Sequence, residues 1–275
     1  MTRHDHDDVR TAHVPRKRFG QHFLHDPGIL QRIVELISPR PGEHLIEIGP
    51  GEGALTLPLL RAARQLTAIE LDRDLIEPLR AKTREIGALT IINADVLNVD
   101  FGALAQGAAL RIVGNLPYNI STPILFHCLQ HAHAIHDMHF MLQKEVVDRM
   151  AAAPGSKTYG RLSVMLQLRC SVEPLLRVPP GAFRPPPKVD SAVVRLAPLP
   201  AAAWPQVDSE LLDRVVRAAF GQRRKTLANA LGELASADAI SAAGVDPRAR
   251  AEQIEPAAFV AIARQLSPDA TNGGL

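Results

Sequence analysis

Two cysteines in 275 residues, Cys128 and Cys170, are too few for a disulfide framework or a thiolate metal site. Both fall in apolar stretches of helical pattern without metal-ligand spacing, so reduced core thiols and no metal are expected. No run reaches the roughly 18 consecutive apolar residues of a membrane-spanning helix. The first fifteen residues are polar and charged, so no secretory signal is expected and the chain is read as cytoplasmic, with no membrane partner. Nor does one sign of charge dominate: 31 Lys and Arg against 29 Asp and Glu leave a net charge of +2. A nucleic-acid partner must therefore be argued from where the charges lie, not from their sum. No internal repeat is visible. What is abundant is apolar residues, 46% of the chain, enough for a substantial core in one large domain with or without a smaller second one.

The stretch Leu45-Ile46-Glu47-Ile48-Gly49-Pro50-Gly51-Glu52-Gly53-Ala54 reads as a short apolar strand running into a glycine-rich turn that opens a helix. Glycines at such a turn let the backbone bend tightly and approach a ligand without side-chain clash. The pattern begins as G-x-G but departs from the dinucleotide fingerprint, because the third glycine comes two residues on rather than three. A nucleotide-like ligand and an empty strand–helix corner both remain open at this point.

Acidic residues follow at the ends of the next strands. A strand over 65–71 carries Glu70, 21 residues after Gly49, close to the offset of about 20 at which a carboxylate meets ribose hydroxyls. Such a carboxylate also repels a 2′-phosphate. A strand over 89–92 leads to Asn93-Ala94-Asp95-Val96, where Asp95 can accept from an adenine amino group and Val96 can cover the ring. A further strand over 109–113 ends in Gly114-Asn115-Leu116-Pro117-Tyr118. The exocyclic amine of a base is a poor nucleophile, since its lone pair is delocalised into the ring. The amide oxygen of Asn115 and the carbonyl of Leu116 could hold its hydrogens, while Tyr118 stacks on a base swung out of its helix.

Upstream, Arg16-Lys17-Arg18-Phe19-Gly20 is either a phosphate-contacting arm or the lead-in to a helix capped by Asp26, with Pro27 in its first turn. That helix runs to about Ile37, with Ile29, Leu30, Ile33, Val34 and Ile37 on its core face. Downstream, a helix is expected over 54–64, then helix 123–130, strand 139–142, helix 144–153, a flexible loop over 154–160 carrying Lys157, helix 162–168 and strand 175–178. The loop from Pro179 to Lys188 is stiff, basic and aromatic. Its Phe183 could clamp the other face of a flipped base, or lie buried in a rigid hairpin connection. After a strand over 192–196 and an Ala/Pro-rich linker, helices are expected over 211–220, 225–234, 237–242 and 256–265. Arg223, Arg224 and Lys225 form a basic turn between two of these helices. The expected division is a tail over 1–15, an α/β domain over 16–198, a linker over 199–207, a helical RNA-binding domain over 208–268 and a tail over 269–275.

In order, these motifs resemble the small-subunit ribosomal RNA adenine dimethyltransferases. The matching stretches are Arg18-Phe19-Gly20-Gln21-His22-Phe23-Leu24, the glycine turn over 47–56, Glu70-Leu71-Asp72, Asn93-Ala94-Asp95 and Asn115-Leu116-Pro117-Tyr118. They continue through 143–146, 159–164, 183–194 and 222–231, so that the resemblance spans residues 16–265. It implies a Rossmann-like α/β methyltransferase domain, a mostly parallel sheet with helices on both faces, followed by a small all-helical domain. It implies S-adenosyl-L-methionine as cofactor, contacted by His22, Leu24, Gly49, Glu70, Asp95 and Asn115. His22 stands where this family often has asparagine. The resemblance further implies dimethylation of two adjacent adenosines in the 3′-terminal hairpin of 16S rRNA within the 30S subunit. Asn115, Leu116, Tyr118 and Phe183 would act at the base, and Lys188, Arg223, Arg224 and Lys225 on the RNA backbone; a monomer is expected. The rivals are a related large-subunit rRNA adenine methyltransferase, a DNA enzyme, and an assembly factor that chiefly binds immature 30S subunits. Leu116 departs from the Pro-Pro-Tyr of the DNA enzymes, and the match over 219–231 favours the small-subunit group.

Overall fold

The computed structural model describes residues 22–222 and 224–267; the expected N-terminal tail, the basic stretch 16–21, Arg223 and residues 268–275 lie outside them. The described chain runs β1 (Phe23–Leu24), α1 (Pro27–Ile37), β2 (His44–Ile48), α2 (Thr56–Ala63), β3 (Gln65–Glu70), α3 (Ile76–Thr83), β4 (Ala88–Asn93), α4 (Phe101–Ala105) and β5 (Leu110–Asn115). It continues through α5 (Ser121–Gln130), β6 (Ile135–Gln143), α6 (Lys144–Met150), α7 (Arg161–Gln167), β7 (Cys170–Val178), β8 (Phe183–Arg184) and β9 (Ser191–Pro198). The helices α8 (Ser209–Gly221), α9 (Leu227–Leu231), α10 (Ala237–Ala242) and α11 (Pro256–Gln265) complete it.

Seven strands form one sheet in the order β4-β3-β2-β5-β6-β9-β7, and β1 pairs separately with β8. The first five are mutually parallel, whereas β9 runs antiparallel to both β6 and β7. The chain leaves β2 towards β3 and β4, then returns to β5 on the other side. The strand order therefore reverses between β2 and β5, the place where open parallel sheets bind ligands. Ile46, Ile112 and Phe140 face one layer containing α5, while Leu45, Val113 and Met141 face another containing α1 and α2. This is the doubly covered α/β sheet that the sequence led us to expect.

Asp26 caps α1 as its side chain accepts from Ile29 N at 2.9 Å, and Ile33 and Ile37 on the inner face are buried. Several segments differ from their expected extent. Cys170 opens a nine-residue strand instead of sitting in a helical stretch, and that strand starts five residues earlier than expected. Pro174 had hidden this continuity. It is tolerated because β7 is an edge strand and its register shifts between Pro174 and Leu176. Strand β6 likewise extends back to Ile135, through His136 and Asp137, whose polarity masked it. Helix α9 is short, giving way at Gly232 to a single 3₁₀ turn.

The C-terminal helices have a core of their own, built from residues such as Leu212, Val216, Leu227 and Phe259, but it also recruits Ala152, Tyr159 and Val164 from before residue 198. The Tyr159 hydroxyl donates to the Ile254 carbonyl at 3.0 Å, and Arg161 pairs with Asp213 at 2.7 Å. The loop before α7 is thus tied into the helical layer through its tyrosine.

Candidate active site

A cavity of about 290 Å³ opens at the carboxyl ends of β2, β3, β4 and β5. Register explains why it forms there: Ile48 of β2 lies beside Gly114 of β5, so Gly49 and Asn115 emerge side by side. Glu70 and Asn93 likewise end β3 and β4 at one level. His22, Leu24, Gly49, Glu70, Asp95, Asn115, Leu116 and Tyr118 all line this cavity.

The glycine turn forms the floor. Gly49 has φ of +67°, and a Cβ placed there would meet nothing within 4 Å, so its backbone faces open ligand space. At Gly51, with φ of +56°, a Cβ would come within 3.0 Å of the Phe23 ring, which closes over the turn. The turn is held from both sides. Glu70 Oε2 accepts from Gly51 N at 3.1 Å, and Lys82 Nζ donates to the Glu52 carbonyl at 2.8 Å. The other oxygen of Glu70 accepts from Asp72 N at 2.8 Å. Burial raises the pKa of this carboxyl, with the Asp72 and Gly51 N–H groups opposing the shift. Each carboxylate oxygen retains a lone pair for a hydroxyl donor. Asp95 turns one oxygen inward to cap the chain at Leu97 N, 3.0 Å away.

At the end of β5, Asn115 Nδ2 donates to the backbone carbonyl of His22 at 3.0 Å. With its amide nitrogen engaged, Oδ1 is the atom left to accept. The Tyr118 hydroxyl lies 2.6 Å from Ser191 Oγ, and the Tyr118 backbone carbonyl accepts from Ser121 Oγ at 3.2 Å, so the hydroxyl and the backbone of this residue are both anchored. His22 Nδ1 lies 2.8 Å from the Pro185 carbonyl. That contact brings the loop carrying Lys188, itself exposed, to the cavity mouth.

Phe183 does not reach the base slot. It is 2% exposed, opposite Leu24 in the β1–β8 pair, and packs into the α1–α2 core layer. The clamping role is thereby replaced by the buried alternative, because two-stranded pairing turns this ring inward. Arg224 and Lys225 are exposed but do not line the cavity.

Ser191, Glu47 and His139 also stand at the site, although their sequence neighbourhoods do not single them out. Ser191 lay inside a strand motif and became relevant only through pairing. Glu47 and His139 are buried at 2% and 3%, line the cavity and stand level with Val113 across β2, β5 and β6. Glu47 Oε2 and both His139 ring nitrogens lack a hydrogen-bond partner. A glutamate inside an otherwise apolar parallel strand was the available signal. Burial pushes the Glu47 carboxyl up to about 8, with Thr56 opposing the shift and Glu70 adding to it. Burial also holds His139 down at about 4, so it is neutral at physiological pH.

The Glu47 shift has a measurable consequence. The folded protein holds a proton on Glu47 that the unfolded chain, near the ordinary 4.5, has already lost, so stability falls as pH rises from 4.5 to about 8. In Glu47→Gln this loss should disappear, and thermal melts of parent and variant without ligand should diverge between pH 6 and 8.5. Parallel curves would contradict the assignment. His139, held at about 4 against an ordinary 6.5, acts in the opposite sense between those values, but like the raised Glu70 it is common to parent and variant and drops out of the comparison.

A family profile described as ribosomal RNA adenine dimethylase matches residues 12–267. The chain is 63% identical over 248 residues to ribosomal RNA small subunit methyltransferase A of Xanthomonas campestris pv. campestris strain B100, covering 90% of this chain and 95% of that one. It is 62% identical to the protein of the same name from Xanthomonas oryzae pv. oryzae strain PXO99A, at the same coverage. Among solved structures, a dimethyladenosine transferase from Plasmodium falciparum superposes with a TM-score of 0.77 at 25% identity, over 88% of this chain and 96% of that one. The 23S rRNA methyltransferase ErmE superposes at 0.66 with 28% identity, over 89% and 99%. The cavity at the strand-order reversal, the acids beside it and the match along almost the whole chain agree: this protein belongs to the ribosomal RNA adenine dimethylase family.

Proposed function

We propose that this enzyme dimethylates the 6-amino groups of two adjacent adenosines in the 3′-terminal hairpin of 16S rRNA, on the 30S subunit and in the cytoplasm, with a role in small-subunit biogenesis. The observation that carries the acceptor chemistry is the locked amide of Asn115, whose Oδ1 remains free beside Tyr118. S-adenosyl-L-methionine, when bound, supplies a methyl group already activated by its sulfonium. The residues fit that cofactor. Gly49 leaves an open backbone surface, Glu70 presents two anchored oxygens to a ribose, and Asp95 lies one strand further on for an adenine amine. The turn needs no pyrophosphate cradle. Glu47 Oε2, buried and unpaired, is left to hydrogen-bond with such a ligand. His22, Leu24 and Asn115 line the same cavity and complete the residues assigned to the cofactor.

Asn115 Oδ1 and the Leu116 carbonyl accept the hydrogens of the amine, favouring a pyramidal nitrogen with its lone pair free for attack. Tyr118 stacks on the extruded base, fixed by Ser191. No strong base is needed beforehand, because the nitrogen becomes acidic only as it is methylated. Positioning carries most of the rate. For the second methyl group only one N–H remains, so one of the two acceptors goes unused.

The direct test uses 30S subunits from a strain lacking the activity, with the modified bases mapped after incubation with enzyme and cofactor. Methyl groups should appear on the paired hairpin adenosines; modification elsewhere would overturn the reading. Lys188, Arg223, Arg224 and Lys225 are assigned to the RNA backbone. Replacing Arg223, Arg224 and Lys225 together should weaken 30S binding and lower the slope of log K against log salt by about 2 to 3, roughly one for each phosphate no longer neutralised. An unchanged slope would remove them from the interface.

A further inference from the structure

A base held out of its helix for chemistry is normally gripped on both faces. Tyr118 provides one face, and burial of Phe183 leaves the other without the aromatic that the loop sequence suggested. The ring facing Tyr118 is that of His22, with centroids 5.5 Å apart and planes inclined by 30°. Each ring has its own support. Tyr118 is tied to Ser191 Oγ at 2.6 Å, and the His22 imidazole to the Pro185 carbonyl at 2.8 Å. The backbone of His22 is fixed separately, by the Asn115 amide at 3.0 Å and by the β1–β8 pairing that begins at the next residue. The two rings therefore flank the residue whose Oδ1 is directed to the amine.

We propose that His22 is the second wall of the acceptor slot, a substrate-positioning residue whose imidazole covers the face of the adenine turned away from Tyr118. The inference rests on the adenine-methylating reading of this site. Two stacking contacts of roughly 3.5 Å each require about 7 Å between the flanking rings, so the observed pair must part by about 1.5 Å. In the proposed arrangement the imidazole rotates to open that gap. It gives up only the exposed bond to Pro185, which water can replace, while the carbonyl that orients Asn115 stays in place. Among the described residues, the other exposed large apolar side chains do not fit this role. Leu71 follows Glu70 at the end of β3, two strands from Asn115, and Val189 is aliphatic. The imidazole thus serves the acceptor, and the cofactor contact that the family resemblance gives His22 is left to its backbone.

The test compares His22→Ala and His22→Phe with the parent, measuring kcat/KM on undermethylated 30S at saturating cofactor and cofactor affinity by calorimetry. Both variants keep the backbone carbonyl that holds Asn115. The alanine variant should lose about tenfold in kcat/KM, within the roughly five- to hundredfold that one base–aromatic stack contributes. The phenylalanine variant should return to within about threefold of the parent, and both should keep cofactor affinity within about threefold, because the stack removed or restored involves the RNA base alone. The proposal is overturned if phenylalanine is as impaired as alanine, if alanine costs nothing, or if cofactor affinity falls tenfold or more in both. A parent protein that transferred no methyl to 30S adenosines would overturn the function itself; an active parent with indifferent variants would overturn the role of His22 alone.

Discussion

Asn115→Ala should lower kcat for methyl transfer by about 10²- to 10³-fold at saturating 30S and cofactor, the scale of losing one preorganised polar contact at a reacting centre. The amide does two jobs that alanine cannot share. Its nitrogen holds the His22 carbonyl at 3.0 Å, and its oxygen is thereby aimed at the amine. Asn115→Asp separates them: an acceptor remains, but the donor to His22 is gone and two oxygens now face each other. Aspartate should therefore also be impaired, with the rate recovered only in part. Single-turnover methyl transfer is the measurement of choice, since product release does not mask chemistry there. Binding of 30S should survive in both variants, because Lys188, Arg224 and Lys225, assigned to the RNA, do not line the cavity. An alanine variant within tenfold of the parent would show that the free oxygen of Asn115 is not what orients the nucleophile. If that variant also rescued every phenotype of a deletion strain, 30S binding would be the principal role.

The second large effect lies at the opposite end of β5 and concerns folding. Arg111→Ala should destabilise the protein by about 3–5 kcal/mol, the range for removing one partner of a buried ion pair. The guanidinium, with 11% of its side chain exposed, donates through Nε and Nη2 to Asp137 at 2.9 and 3.1 Å and through Nη1 to Glu43 at 2.7 Å. Nη2 also reaches the Ile37 carbonyl at 2.7 Å and Nη1 the Ser38 carbonyl at 3.4 Å, where α1 ends. One side chain thus joins β5, β6, the end of α1 and the turn before β2. Burial opposes ionisation of Asp137, but the bonds from Arg111 hold its carboxyl below the ordinary range. Arg195, 3.5 Å from Asp137, relieves part of the loss, which favours the lower end of the range. Arg111→Lys keeps the charge but not the planar fork, and should recover less than half of the stability. Urea unfolding with an unchanged m-value would report the difference cleanly. The folded fraction should keep its kcat, since Arg111 lies four residues, about 13 Å of extended strand, from Asn115. A cost below 1 kcal/mol would mean the network is solvated rather than buried.

Local sequence determined those features whose cause is local. The capped start of α1, the glycine turn after an apolar strand and the acids at successive strand ends each follow from backbone sterics or side-chain period, and all lie where the sequence indicated. Residue order along the chain was enough to name the family, since ordered motifs carry more information than any one of them. Tertiary structure decided whatever depends on partners distant in sequence. His136 and Asp137 looked too polar for a strand until Arg111 and the sheet register supplied their surroundings. Phe183 could have faced solvent or core, and only its pairing with Leu24 buried it. The contact between His22 and Tyr118 joins residues 96 positions apart through the strand pair that Phe183 anchors. A side chain's period shows which way it points; what it meets there depends on strands that only folding brings together.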